Sequence, residues 1–507
     1  MHKKYILPLV ALPLITACKN SEQQATPPNI VLIYADDIGF GDLGWNGATT
    51  ISTPNIEQLA QEGIRFTNAH STAATSTPSR YAMLTGEYAW RKEGTGIADG
   101  NAGMIIRPDR YTLADMLKEA GYQTAVVGKW HLGLGNETGK QDWNKKLIPG
   151  TNDIGFDYSY IMAATGDRVP CVYVENDLVV GLDPQDPLEV SYKQNFEGEP
   201  TGRDNPELLV MHPSHGHDQT IVNGISRIGY MKGGHAARWK DEEIAEVLTA
   251  KAVQYIKENK DRPFFLYFAT QDAHVPRVPS PRFKGKSGMG PRGDVLLQFD
   301  WSVGEVMKTL KDLGLDENTL VILSSDNGPV LDDGYVDYAE ELLGEHKPAG
   351  DFRGGKYSSY EAATRVPCIV RWKGNVKPSV QDQLMCQIDW FASFASLVNI
   401  ELPQGVAPDS QNHLDAWLGL SSKGRDCIVV QNLQNNLALI SGNWKYIKPG
   451  KGPAVNTNTN IELGNSPDPQ LYNLETDIRE QQNLASEYPE KVKQLQLKLE
   501  NIIASKP

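Results

Sequence analysis

The feature that most constrains the fold is a series of short, largely apolar segments that alternate with amphipathic segments. The apolar segments are NIVLIYA (29–35), YQTAVVG (122–128), PFFLYFAT (263–270) and TLVILSS (319–325). Apolar runs without polar alternation are typical of strands buried on both faces of a parallel sheet. The amphipathic segments, typical of helices, are STPNIEQLAQEG (52–63), YTLADMLKEAG (111–121), DEEIAEVLTAKAVQYIKEN (241–259) and VLLQFDWSVGEVMKTLKDLG (295–314). The alternation predicts an α/β fold around a mostly parallel central sheet flanked by helices.

The length and the C-terminal pattern predict a second, smaller unit. A chain of 507 residues exceeds one simple core. From about residue 421 the pattern changes to short strands, CIVVQN, NLALISG and NWKYIK, followed by the amphipathic helix YPEKVKQLQLKLENII. We expect a main domain over 29–420 and a C-terminal subdomain over 421–507. The subdomain should be a small antiparallel sheet with a packed helix that closes one side of a substrate cleft.

The N-terminus has the pattern of an export signal. Basic MHKK precedes the apolar run YILPLVALPLITA, which is short for a membrane span. The run ends in ITAC, which resembles a bacterial lipobox. This predicts a signal peptide over 1–18, a lipid anchor on Cys18 and a polar tether over 19–28, hence an exported lipoprotein in the periplasm or outer membrane of a Gram-negative bacterium. A plain secretory signal is the alternative.

The net charge and the cysteine spacing argue against a nucleic-acid-binding protein and against a zinc site built from cysteines. The formal net charge of -14 argues against a nucleic-acid partner. The five cysteines show neither a CxxC pair nor zinc-site spacing, and the sequence leaves a disulfide open.

Polar residues follow each of the four apolar strands. They are Asp36 and Asp37, then Lys129 and His131, then His274, then Asp326 and Asn327. Each could be an ordinary turn residue, but the ends of parallel strands meet at one edge of a sheet, so we expect one shared site. The oxygen donors Asp36, Asp37, Asp326 and Asn327 suit a hard cation, Ca²⁺ or Mg²⁺. The cationic and imidazole groups suit an oxyanion ester.

The segment STPSRYAMLTG (76–86) predicts a short helix with an anion-binding start. Ser76 is a plausible N-cap, Pro78 is tolerated in the first turn and Gly86 ends the helix. Ser76 and Arg80, four residues apart, share a helix face. A helix start favours an anion.

Several motifs together resemble one family. STPSR with LTG, GKWHLG (128–133), SDNGP (325–329) and the GGK…E…RVP stretch (354–367) resemble the signatures of the formylglycine-dependent sulfatases. The resemblance covers nearly the whole chain after the signal. It implies an alkaline-phosphatase-like sheet and hydrolysis of sulfate esters.

The resemblance also implies site residues. Ser76 takes the place of the residue oxidised to formylglycine, and because it is serine, not cysteine, it implies a radical maturase as partner. Asp36, Asp37, Asp326 and Asn327 take the place of the Ca²⁺ ligands. Sulfate binding and proton transfer fall to Arg80, Lys129, His131, His274 and Lys356. The implied mechanism uses a hydrated aldehyde that attacks sulfur, with His274 and Lys356 at the leaving alcohol and His131 as the base that expels sulfate.

The long insertion over 136–239 is expected to carry specificity, as loops of this kind do. Asp167, Arg168 and His217 could bind sugar hydroxyls, or could simply hold the loop. The stretch resembles bacterial carbohydrate sulfatases acting on 6-O-sulfated galactose or N-acetylgalactosamine of host or dietary glycans. Three alternatives stay open: another sulfated sugar position, a phosphatase or phosphodiesterase with Ser76 as direct nucleophile and zinc, and a non-catalytic glycan-binding lipoprotein.

Overall fold

The computed structural model describes Met1 and residues 27–505. The predicted signal segment and Cys18 lie outside the described residues. None of the helices within the described residues combines the length and the hydropathy needed to cross a lipid bilayer.

The core of the protein is a ten-stranded, mostly parallel sheet. Its strands in chain order are β1 (Asn29–Ala35), β2 (Ile64–Phe66), β3 (Gln123–Lys129), β4 (Tyr158–Met162), β5 (Tyr173–Glu175), β6 (Leu178–Val179), β7 (Phe264–Ala269), β8 (Thr319–Ser325), β9 (Cys368–Arg371) and β10 (Ser379–Gln381). Their order across the sheet is β10-β2-β9-β8-β1-β7-β3-β4-β5-β6. The four predicted apolar strands are its centre, β8-β1-β7-β3, and all pair in parallel. This confirms the predicted fold class.

The register of the central strands aligns their carboxyl ends. Ala35 of β1 lies opposite Ser325 of β8, and Ala269 of β7 lies opposite Gly128 of β3. The polar residues that follow these strands therefore leave the sheet at the same edge.

Helices pack around the sheet. They are α1 (Pro54–Gln61), α2 (Ser76–Thr85), α3 (Leu113–Glu119), α4 (Ile244–Glu258), α5 (Gly290–Asp312), α6 (Trp390–Leu397), α7 (Leu414–Trp417) and α8 (Pro489–Ala504). The N-cap prediction for α2 is wrong by one residue: Thr75 has extended backbone, φ -150° and ψ 157°, and Ser76 is already helical. Gly86 ends α2 in the left-handed region, as expected.

The C-terminal region forms a four-stranded antiparallel sheet. Its strands are β11 (Cys427–Gln431), β12 (Leu437–Ser441), β13 (Trp444–Ile447) and β14 (Gln470–Asn473), in the order β11-β12-β13-β14. Helix α8 packs on it through Val492, Leu495 and Leu499. The boundary predicted at residue 420 stays a prediction, but the predicted architecture of sheet and helix is present. Cys171, Cys368, Cys386 and Cys427 are all free thiols.

Candidate active site

The predicted polar residues meet in one buried cluster at the sheet edge. Asp36 and Asp37 follow β1, and Asp326 and Asn327 follow β8. A hydrogen bond from the backbone N–H of Asp37 to Asp326 Oδ1 (3.3 Å) and one from Asn327 Nδ2 to Asp37 Oδ1 (2.8 Å) join the two strand ends. All four side chains are almost fully buried.

Ser76 lies at the centre of this cluster. Its Oγ is 3.4 Å from both Asp36 Oδ1 and Asn327 Oδ1, and it accepts a hydrogen bond from Lys129 Nζ at 2.8 Å. The same ammonium group donates to Asp36 Oδ2 at 2.5 Å. Lys129 thus ties the start of α2 to the end of β1, and the serine hydroxyl is held by a cation, not by the helix cap.

Arg80 supports the carboxylates from the next turn of α2. Its Nη2 and Nε donate to Asp326 Oδ2 at 2.7 and 3.1 Å, and its Nη1 donates to the Tyr267 hydroxyl at 3.0 Å. The guanidinium is fully buried, and it lies over the Tyr34 ring at 5.2 Å. A charge this deep is tolerated only because it is paired on several sides.

Four buried carboxylates, Asp36, Asp37, Asp326 and Asp333, are paired with three buried cations, Arg80, Lys129 and Lys356, which leaves one negative charge in excess. Burial and the neighbouring Asp326 raise the pKa of Asp36 well above its usual range, although Lys129 opposes them. Asp36, Asp37 and His274 each offer one ligand atom, and these atoms lie within 4.8 Å of one another. Asn327 Oδ1 and Asp36 Oδ1 both lie 3.4 Å from Ser76 Oγ, and carboxylate and amide oxygens of this kind suit a hard divalent cation.

The two predicted histidines, His131 and His274, differ in which ring nitrogen contacts a backbone carbonyl. His131 Nε2 lies 2.9 Å from the Ala98 carbonyl, which assigns the proton to Nε2 and leaves the buried Nδ1 without a partner. Burial and the cations Lys129, Arg168 and Arg80 hold the pKa of His131 well below its usual range. The ring is therefore a neutral base with an available lone pair.

His274 is oriented the other way. Its Nδ1 lies 2.7 Å from the Val275 carbonyl, and its Nε2 lies 3.9 Å from Asp37 Oδ2. Burial and the nearby Lys356 lower the pKa of His274 to about 4, so the ring is neutral before an anion arrives. Lys356 is the charged donor on this side: its Nζ contacts Asp37 Oδ2 and Asp333 Oδ2, both at 2.8 Å.

The three predicted sugar-binding residues border the same small cavity as Ser76. Asp167 Oδ2 pairs with Arg168 Nη1 and His217 Nε2, both at 2.9 Å. Burial alone would raise the pKa of Asp167, but Arg168, His274 and His217 together hold it well below its usual range. The cavity, about 60 Å³, is lined by Thr75, Ser76, Ile97, His131, Asp167, Arg168, His217, Ile228, His274, Asp333, Lys356 and Tyr357.

Sequence reasoning missed Asp333 and Tyr357. Asp333 accepts from Lys356 Nζ and, at 2.8 Å, from the Tyr357 hydroxyl. Tyr357 has a φ of 77°, and Asp37 and His131 also have positive φ. Such conformations cluster at functional sites where surrounding contacts enforce them. No described residue of 421–505 lines this small cavity, and closure of one side of a larger substrate cleft by the C-terminal subdomain stays a prediction.

Comparison with known proteins decides the family. A model of the family described as Sulfatase matches residues 28–400. The chain belongs to the sulfatase family. As a sulfuric ester hydrolase, it is neither the phosphatase nor the non-catalytic binding protein considered above.

Relatives of this sulfatase span its whole length. It is 55% identical over 503 residues to an N-acetylgalactosamine-6-O-sulfatase from Bacteroides thetaiotaomicron, with 98% of both chains covered. It is 31% identical to arylsulfatase A of Homo sapiens, over 93% of this chain and 88% of the human protein. A solved Bacteroides thetaiotaomicron structure, from a study of the metabolism of multiple glycosaminoglycans, superposes with a TM-score of 0.94 at 56% identity, covering 95% of this chain and 100% of that one.

Proposed function

We propose that this sulfatase removes the 6-O-sulfate of N-acetylgalactosamine or galactose in glycans of host or dietary origin. The observation that carries the proposal is the 55% identity, over 98% of both chains, to a protein named as an N-acetylgalactosamine-6-O-sulfatase. Identity of that extent covers the insertion over 136–239 as well as the sheet. That insertion carries Asp167, Arg168 and His217, which border the cavity beside Ser76.

We assign Ca²⁺ to the carboxylate cluster. Asp36, Asp37, Asp326 and Asn327 would hold it, and His274 Nε2 lies 3.9 Å from Asp37 Oδ2 at the border of this group. The all-oxygen donor set and the raised pKa of Asp36 support the assignment, since a divalent cation neutralises the excess negative charge. When bound, the ion supplies positive charge for the sulfate oxygens.

The nucleophile is assigned to residue 76 after oxidation of Ser76 to formylglycine. The hydrated aldehyde supplies two hydroxyls, one to attack sulfur and one whose deprotonation expels sulfate. Lys129 is placed to hold the attacking oxygen, because its ammonium already contacts Ser76 Oγ at 2.8 Å. Arg80 fixes Asp326 behind that oxygen and adds positive charge to the sulfate site.

Proton movement is divided between the two sides of the cavity. His131, neutral and with Nδ1 free, accepts the proton of the second hydroxyl. Lys356, held charged by Asp333 and Asp37, faces the leaving alcohol together with His274. A bound sulfate ester adds negative charge next to His274 and so raises the pKa that burial and Lys356 have lowered.

We further propose that the enzyme is an exported lipoprotein anchored through Cys18, with residues 1–18 as signal peptide and 19–28 as tether. The basic, apolar and ITAC segments support this. A radical sulfatase maturase is the second proposed partner, because residue 76 is serine. The other proposed partner is the sulfated glycan itself, as the substrate.

The test compares protein produced with and without a serine-accepting maturase. With it, the peptide that contains residue 76 should lose two hydrogens, and hydrolysis of 6-O-sulfated N-acetylgalactosamine should scale with the converted fraction. Without it, the protein should fold and bind Ca²⁺ but show almost no activity. The Ser76→Ala variant, which cannot be converted, is the matched control, and 4-O-sulfated N-acetylgalactosamine is the substrate control.

Two results would contradict the proposal separately. Full activity from unmodified Ser76 would remove the formylglycine mechanism. Equal or greater activity on the 4-O-sulfated sugar would remove the proposed substrate and leave the mechanism in place.

A further inference from the structure

Lys356 lies on a loop whose two ends are joined. The backbone N–H of Ala362 donates to the Arg353 carbonyl at 3.0 Å, which closes residues 353–362 into a unit that we call the Lys356 loop. On the catalytic side, Lys356 N–H donates to the Pro329 carbonyl and Tyr357 N–H to the Ala74 carbonyl, both at 2.9 Å. The positive φ of Tyr357 shows that external contacts, not local preference, set the shape of the loop.

The other side of the Lys356 loop is held by the C-terminal subdomain. Leu433 N–H donates to the Tyr357 carbonyl at 3.1 Å, and Ser359 N–H donates to the Leu463 carbonyl at 3.0 Å. Arg353 pairs through two nitrogens with the two carboxylate oxygens of Glu462, at 2.8 and 2.6 Å. The subdomain therefore contacts the loop at three points: Arg353 at its beginning, Tyr357 next to Lys356, and Ser359.

The last anchor is a fully buried ionic cluster. Lys445 Nζ, on β13, lies 3.0 Å from Glu361 Oε1 and 3.0 Å from Glu480 Oε1, and all three side chains are inaccessible to solvent. A Glu480 oxygen also accepts the backbone N–H of Glu361 at 2.7 Å. Charges removed from water in this way hold their partners in one arrangement, because a buried charge that loses a partner is costly; Glu361 Oε2 also pairs with Arg365 Nη1 at 3.2 Å.

Glu361 connects this cluster to the reacting centre. It begins the short 3-10 turn Glu361–Ala363, and the Ala363 carbonyl accepts the backbone N–H of Gly328, directly after Asn327. The approach is so close that a Cβ on Gly328 would lie 1.7 Å from the Ala362 carbonyl oxygen. A shift of Glu361 is therefore passed both to the Lys356 loop and to the loop after β8.

We propose that Lys445 is a positioning residue for Lys356. Through Glu361 it fixes the Lys356 loop so that the Lys356 ammonium stands beside Asp37 and Asp333, where the leaving oxygen of the ester departs. Lys445 itself touches no reacting atom. The inference rests on the proposed function, in which Lys356 stabilises the leaving group, and it assigns the C-terminal subdomain a part in the chemical step.

The test uses Lys445→Met, which removes the charge and keeps an unbranched side chain, in fully converted enzyme. A series of aryl sulfates with phenols of increasing pKa reports on the leaving group. We expect kcat to fall about tenfold for the least acidic phenol, because small displacements of a catalytic group are costly, and to fall much less for 4-nitrophenol. The dependence of log kcat on phenol pKa should therefore become steeper while KM changes little.

Two further variants keep the test decisive. Glu462→Gln weakens the half-exposed Arg353 pair and should give a smaller loss with the same trend, and it carries the test if Lys445→Met does not fold. Glu490→Gln changes an exposed carboxylate on α8 that pairs with Lys493 at 2.8 Å, and it should leave both kcat and the phenol dependence unchanged.

The possible results distinguish failure of the positioning role of Lys445 from failure of the proposed function. An equal loss for every phenol, or no loss in folded Lys445→Met, would overturn the positioning role while leaving the proposed function intact. Converted wild-type enzyme that hydrolyses no sulfate ester would overturn the proposed function and the inference together.

Discussion

Replacing Asp326 by asparagine tests the assignment of the carboxylate cluster to Ca²⁺. The substitution keeps the size of the side chain and removes one negative charge. In the wild-type protein, Asp326 Oδ2 accepts two hydrogen bonds from Arg80, and Oδ1 accepts the backbone N–H of Asp37. The variant therefore changes the electrostatics of the cluster while leaving its packing in place.

The expected loss of stability follows from these contacts. Removing one partner of a buried ion pair costs about 3–5 kcal/mol. Arg80 keeps its bonds to the Tyr267 hydroxyl and the Lys129 carbonyl, and it lies 3.9 Å from Asp36, so we expect the lower end, about 3 kcal/mol. An unfolding entropy of about 2.1 cal/mol/K per residue converts this, over 507 residues, to a fall of about 3 °C in Tm.

The response of the protein to Ca²⁺ distinguishes a metal ligand at position 326 from a carboxylate that only stabilises the fold. At a concentration of about 100 times Kd, Ca²⁺ should stabilise the wild-type protein by about 2.7 kcal/mol, and the variant should gain much less. The assay is calorimetric unfolding of metal-free protein with and without added Ca²⁺, accompanied by metal analysis and turnover. An unchanged calcium content in Asp326→Asn, with the same calcium-induced rise in Tm as in the wild type, would refute the assignment.

Two further predictions concern groups around this centre. Burial alone would raise the pKa of the Asp42 carboxyl, but Arg292 and His346 lower it to about 2. Asp42 therefore stabilises the fold at pH values above its unfolded pKa of about 4, and this stabilisation is lost as the pH falls towards 2. Asp42→Asn should lower Tm at pH 7 and flatten the acid side of a plot of Tm against pH, and an unchanged plot would contradict this. Asp167→Ala and His217→Ala should reduce kcat/KM on the 6-O-sulfated glycan while sparing a small aryl sulfate; equal losses on both substrates would show that these residues hold the loop and not the sugar.

The central sheet and the cluster of polar residues at its edge could be predicted because their signals are local. NIVLIYA and TLVILSS are apolar over most of their length, and both became central strands with polar residues at their ends. The short strands β2 and β10, which lie side by side at one end of the sheet and have three residues each, were missed because so few residues show no periodicity. Helix α5 begins at Gly290, five residues earlier than the amphipathic pattern suggested, with a proline in its first turn.

The rest of the site depends on tertiary contacts that no local pattern encodes. Asp333 lies in a loop without periodicity, and its partners Lys356 and Tyr357 come from a different segment. Ser76 has the preferred chemistry of an N-cap, but its hydroxyl is held by Lys129, and Thr75 takes the cap position. Residues that meet in the buried cluster could thus be named from motifs, whereas the residues that hold them in place could not.

The backbone contact between the start of α2 and the C-terminal sheet has a consequence for the timing of activity. Ala73 forms a parallel bridge with Gln431, and Leu433 holds Tyr357. The bridge between Ala73 and Gln431 joins the first sixth of the chain to its last fifth, so it cannot form until most of the polypeptide has left the ribosome. A partly made chain lacks this contact, and we expect hydrolysis to begin only once the C-terminal sheet has docked.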